Sequence, residues 1–200
     1  MRVQSFLTPV ILVAVAALIV TCGSVPATTS NTPSASATPS MATMDHSTMT
    51  DNGDAPYDAQ FIDSMIIHHE GAINMAQQAL TSAEHPEIRQ LAEAIVNAQQ
   101  TEITQMRDWR SAWYPDLTPT SGMQMEMGPM AVADGSTPFD QRFIQAMIPH
   151  HEGAITMARD ALQKAEHQEI KNLAQAIITA QEAEIAQMRQ WLQEWYGITQ

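Results

Sequence analysis

Residues 57–113 and 139–195 are two copies of one sequence, and that duplication limits the fold more than any other feature. Phe61-Ile62, Met65-Ile66 and His68-His69-Glu70-Gly71-Ala72-Ile73 recur as Phe143-Ile144, Met147-Ile148 and His150-His151-Glu152-Gly153-Ala154-Ile155. The register holds without a gap through Met75/Met157, His85/His167, Glu102/Glu184, Met106/Met188 and Trp109/Trp191, with about three in five aligned positions identical. Each copy is therefore one structural unit. Within a copy, apolar residues keep helical spacing on both sides of a break at His85-Pro86 or His167-Gln168, and Pro86 suits the first position of a helix. Each copy reads as an antiparallel helical hairpin. A lone hairpin leaves apolar surface uncovered, whereas two packed together make a four-helix bundle, so the expected fold is all-α. Pairing between chains would instead give a homodimer.

The remaining sequence divides around these units. Residues 1–21 read as an export signal: Arg2 precedes an apolar run from Phe6 to Val20, about 15 residues and short for a membrane span. Leu18-Ile19-Val20-Thr21-Cys22-Gly23 resembles a bacterial lipobox, in which Cys22 would carry a lipid anchor. Cleavage after Ala27 would instead release the chain. Either route places it outside the cytoplasm, in the periplasm or at the cell surface. The sole cysteine offers no disulfide and no thiolate metal site. Residues 22–55, rich in Ser, Thr, Pro and Ala, read as a disordered tether. Hairpins over 56–115 and 138–200 flank a Met-rich linker over 116–137, read as flexible.

A formal net charge of -13 repels a phosphate backbone and excludes nucleic acid as a partner, while the same field attracts small cations. The candidate ligands lie in the repeats. On the first helix Met65 and His69 share an inward stripe, flanked by His68 and Met75. Ile88, Leu91, Ile95, Ala98, Glu102, Met106, Trp109 and Trp113 follow the spacing of a buried seam on the second. Glu102 stands there where an aliphatic residue is expected, and a carboxylate facing a core needs a partner or a cation. His69 lies about 15 residues before the bend and Glu102 about 16 after it, so the two meet at one level of an antiparallel pair. The convergent set is Met65, His69, Glu102 and Met106, repeated as Met147, His151, Glu184 and Met188, with His68, His150, Met75 and Met157 beside it. The bland alternative is a His–Glu hydrogen bond among core methionines. His85 and His167, at the bends, are secondary ligand candidates with a turn role as the default. Glu70 and Glu152 read as solvated or paired.

Methionines outside the helices add a second signal. Met41, Met44 and Met49 flank His46 in the tether, and Met123, Met125, Met127 and Met130 cluster in the linker. Core packing does not account for methionines in flexible polar segments. Thioethers are soft, need no deprotonation and suit Cu(I) where cysteine would oxidise. A compositionally biased linker is the competing account.

With these residues in view, both repeats resemble the domain-of-unknown-function family 305, which includes CopM-type extracytoplasmic copper-binding proteins. The second repeat carries the family pattern in Met147-Ile148-Pro149-His150-His151-Glu152-Gly153-Ala154-Ile155-Thr156-Met157-Ala158; the first has Ile67 in place of the proline. The resemblance implies a ferritin-like bundle and a copper-handling role. Pro149 should cost a helical hydrogen bond and kink its helix.

The function expected is capture of copper, mainly Cu(I) with Cu(II) as a second form, by Met and His ligands. Such a protein sequesters or carries the ion, hands it to a copper-handling partner, and catalyses no reaction. Two rivals stand beside it. A ferritin-like di-metal oxidase needs inward Glu and His on a bundle, but the usual Glu-x-x-His pairing is missing. A bundle without metal would use Trp109, Trp113, Trp191 and Trp195 as contact surface, although these can equally cap the core of their own hairpin.

Overall fold

The computed structural model of the protein describes residues 55–123 and 125–199. Four helices account for most of them: α1 (Tyr57–Ser82), α2 (Pro86–Trp113), α3 (Phe139–Lys164) and α4 (Gln168–Tyr196). Short bends at Ala83–His85 and Ala165–His167 fold them into two antiparallel hairpins packed as a bundle. Among the described residues no helix is long and apolar enough to cross a membrane.

Proline opens three of the elements: Pro56 and Pro138 precede α1 and α3, and Pro86 is the first residue of α2, where a missing N–H costs nothing. Gly197 closes α4 in the left-handed region, with its N–H on the Gln193 carbonyl and that of Ile198 on Leu192, a Schellman-type stop. Pro149 lies inside α3, yet the helix continues through it to Lys164.

The hairpins meet through α1 and α3. These run antiparallel, because the bend of each hairpin reaches the start of the other's first helix. Asp140 accepts from the backbone N–H groups of Glu84 (3.0 Å) and His85 (2.8 Å) and from His85 Nδ1 at 2.6 Å. Asp58 does the same for Glu166 (3.0 Å), His167 (2.9 Å) and His167 Nδ1 (2.6 Å). Both carboxylates are 1% exposed, and their lone pairs satisfy donors at the starts of α2 and α4. The ring of His85 stacks on Trp195 at 3.8 Å and that of His167 on Trp113 at 3.7 Å. Trp113 and Trp195 thus join the hairpins rather than capping their own. This reciprocal latching relates the two hairpins by an approximate twofold about the α1/α3 contact.

Candidate metal centre

Adjacent residues on a helix point about 100° apart, so the two histidines of a doublet address different neighbours. His69 faces its hairpin partner and His68 the opposite hairpin. His69 Nε2 lies 2.7 Å from Glu102 Oε2, and His151 Nε2 lies 2.7 Å from Glu184 Oε2. The structure therefore brings together the His–Glu pairs read from the register. In the neutral ring, with the carboxylate accepting, Nε2 carries the proton and Nδ1 keeps its lone pair. Nδ1 of both His69 and His151 is buried without a partner. A carboxylate behind an imidazole is how metal-binding histidines are commonly oriented.

His68 and His150 stack on each other across the α1/α3 contact, ring centroids 3.8 Å apart and planes at 5°. Nδ1 of His150 is 3.1 Å from the Met127 carbonyl and Nε2 is 3.0 Å from the His68 carbonyl. The neutral ring has one N–H and donates to only one of these acceptors. Both ring nitrogens of His68 are buried without a partner. Burial lowers the His68 pKa to about 2, helped by the charges that His150, His69 and His151 would carry and opposed by the neighbouring backbone of His150. Burial, then His151 and His69, lowers that of His150 to about 3. The pair is thus neutral at ordinary pH, the state in which imidazole binds metals.

Met65, Met75, Met106, Met147, Met157 and Met188 are all fully buried in the core that contains the four histidines. Among the described residues no three His, Cys, Asp or Glu side chains are grouped to hold a metal ion. Any ion taken up here would draw further donors from thioethers or the main chain, which selects for a soft metal.

The described residues of the linker make specific contacts with the bundle, contrary to its reading as a flexible spacer. Asp63 accepts from Arg110 Nε at 2.9 Å and from the Thr120 N–H at 2.8 Å, and Ser64 Oγ accepts from the Met123 N–H at 2.6 Å. Met123, Met125 and Met127 are partly buried against the core, so packing explains part of their presence after all. Gly128 adopts φ +70°, and a Cβ there would stand 2.7 Å from His150 Cα. Only glycine lets the linker lie this close to α3.

Other readings from sequence meet mixed outcomes. Buried positions on α2 are Ile88, Ala92, Ile95, Gln99, Ile103 and Met106. Ala98 is exposed and Glu102, 22% exposed, reaches His69 from the edge of the seam. Glu70 and Glu152 are in exposed ion pairs with Arg107 and Arg189, both at 2.7 Å. His85 and His167 are held by buried aspartates, which the sequence reading missed although Asp58 and Asp140 are aligned copies. It also missed Gln99 and Gln181, whose Oε1 atoms are buried without partners; a glutamine between isoleucines at seam spacing was the available signal. Cys22, Met41, Met44, His46 and Met49 lie outside the described residues.

The family model for the domain of unknown function DUF305 matches residues 20–110 and 58–192. An uncharacterised protein of Acanthamoeba polyphaga mimivirus is 40% identical over 55 residues, 28% of this chain and 36% of that protein, so the match spans little more than a third of this relative. Of solved structures, CopM in the Cu(I)-bound form is 42% identical with a TM-score of 0.61, covering 70% of this chain and 98% of CopM. CopM in the Cu(II)-bound form gives 40% and 0.60, over 70% and 97%. A DUF305 protein from Streptomyces coelicolor gives 26% and 0.58, over 70% and 93%.

Proposed function

This chain belongs to the DUF305 family, and from that membership we propose that it binds copper, chiefly as Cu(I), through histidine and methionine side chains, and so sequesters or carries the ion outside the cytoplasm. The observation that carries the reading is the set of buried ring nitrogens without partners: both of His68, and Nδ1 of His69 and His151. A buried polar atom left unpaired costs about 1–3 kcal/mol, and a bound cation would recover that cost. Fully buried thioethers in the same core are the soft donors that Cu(I) prefers. CopM, similar over nearly its whole length, has Cu(I)-, Cu(II)- and Ag-bound structures. Glu102 and Glu184 fit the role of orienting His69 and His151 better than that of direct ligands to a soft ion.

Binding without turnover is part of the proposal, as is release to a copper-handling partner protein. Export rests on the amino-terminal segment. The test is anaerobic competition between the purified protein and a calibrated Cu(I) chelator. Retention of at least one ion is expected. Failure of the protein to keep Cu(I) or Ag(I) against even a weak competitor would refute the reading.

A further inference from the structure

The hairpins meet through α1 and α3, so α2 and α4 stand apart along most of their length and a cleft opens between them. It holds about 380 Å³ and is lined from α2 by Glu102, Gln105 and Trp109 and from α4 by Glu169, Asn172 and Leu173. No lysine or arginine lines it. Trp109 stacks on Trp113, ring centroids 5.3 Å apart, and its uncovered surface borders this cleft and a second one with Asp108. Glu102 uses only Oε2, on His69 Nε2 at 2.7 Å. The chain's own cations are engaged elsewhere: Arg107, Arg110, Arg159, Lys164 and Arg189 pair with Glu70, Asp63, Glu182, Asp160 and Glu152. The start of α4 would by itself repel a cation, but Asp58 already caps it at the Glu166 and His167 N–H groups. An indole beside free carboxylate oxygens suits a guanidinium, which stacks on the ring, forks onto the oxygens and lays its apolar stem along a residue such as Leu173.

We propose that this cleft is the docking surface for an arginine-bearing basic segment of the copper-handling partner, and that its seat on Glu102 couples docking to release of the ion. A chain of net charge -13 draws such a segment in before contact is made. Once seated, the guanidinium takes up Glu102 Oε1, draws charge from the carboxylate that supports His69, and leaves Nδ1 a weaker donor to copper. This inference rests on the copper reading above and adds to it the place where the ion is handed over.

The test is calorimetric titration of the whole, metal-free protein with an acetylated hexa-arginine amide at about 0.1 M salt, where charges more than about 10 Å apart are largely screened. Glu169→Gln should weaken binding about threefold or more, and Trp109→Leu about tenfold. Glu93→Gln makes the same charge change at an exposed position of α2 outside the cleft and should stay within about twofold. Ag(I), a redox-silent probe for Cu(I), then reads the coupling by chelator competition. With peptide saturating, at least one ion should be held about fivefold less tightly, and the Ag(I)-loaded protein should bind peptide more weakly by the same factor, because coupling is reciprocal. Equal peptide affinity in Glu169→Gln and Glu93→Gln overturns the docking surface and leaves copper binding standing. Unchanged Ag(I) affinity under saturating peptide overturns the coupling. A parent that docks the peptide but keeps no Ag(I) or Cu(I) against a weak competitor overturns the copper reading, and the handover with it.

Discussion

Acid should unfold this protein through the stacked pair at its centre. The pKa values of His68 and His150 are about 2 and about 3 in the folded chain, against about 6.5 for an unfolded histidine. A depressed folded pKa means that the unfolded state binds the proton first. The stability this provides is complete above about pH 6.5 and is lost as pH falls towards 3, at about 1.4 kcal/mol per pH unit for each ring. Between pH 7.5 and 5.0 that amounts to about 2 kcal/mol per ring and about 4 kcal/mol for the pair, a large share of a typical domain stability of about 5–15 kcal/mol. Urea unfolding followed by helix circular dichroism, with metals removed by chelator, measures it directly. His68→Leu keeps an apolar group in the stack, removes two unpartnered nitrogens and should halve this part of the pH dependence. Carboxylates common to both proteins cancel in the difference. A His68→Leu variant with the full parental loss between the two pH values would refute the argument.

The buried aspartates should be among the most sensitive positions. Asp58→Ala strips the acceptor from two backbone N–H groups and one ring N–H, and at about 1.5–3 kcal/mol for each charge-assisted bond the cost should exceed about 3 kcal/mol; a change below 1 kcal/mol in urea titration would show that the latch is ornamental. Gly128→Ala forces a side chain into a left-handed backbone, about 1–2 kcal/mol, and against the His150 backbone, so hydrogen exchange of the amides over 125–130 should accelerate while those of α2 and α4 hold; unchanged exchange in this segment would contradict the close approach.

Duplication, hairpins and the His–Glu pairing were legible because they depend on spacing alone. A helix of about 3.6 residues per turn turns residue intervals into faces, and an antiparallel bend turns distance from the bend into level. The α2 seam was misplaced because intervals of three and four both satisfy that period. Ile88, Ala92, Ile95, Gln99 and Ile103 fit as well as a path through Leu91, Ala98 and Glu102, and only the position of the neighbouring helix selects one. Linker order was illegible for another reason. Its support at this end comes from Asp63, Ser64 and Arg110, polar residues 7 to 59 positions away in sequence that pass for surface in any local reading. The aspartates at 58 and 140 suffered likewise: each opens a helix in one repeat and serves the bend of the other.

The twofold relation sorts the histidines into two kinds, and the sorting has a chemical consequence. His69 and His151 lie within separate hairpins, each with its own glutamate, so whatever one does the other can repeat independently. His68 and His150 lie against each other on the axis, where a duplicated chain has two histidines but room for one set of contacts. Symmetry would leave them equivalent, yet among the described residues the ring of His150 has a linker carbonyl, that of Met127, within hydrogen-bonding distance and the ring of His68 has none. The linker breaks the tie, because a chain with two repeats has one connection and it must fall on one side. Duplication thus supplies paired histidines, and the single linker, by setting the Met127 carbonyl on the His150 ring, makes the two halves of the pair chemically distinct. An unpartnered imidazole in a dry interior is costly in the empty protein, and that cost is what a neutral-ligand site would convert into affinity for the ion.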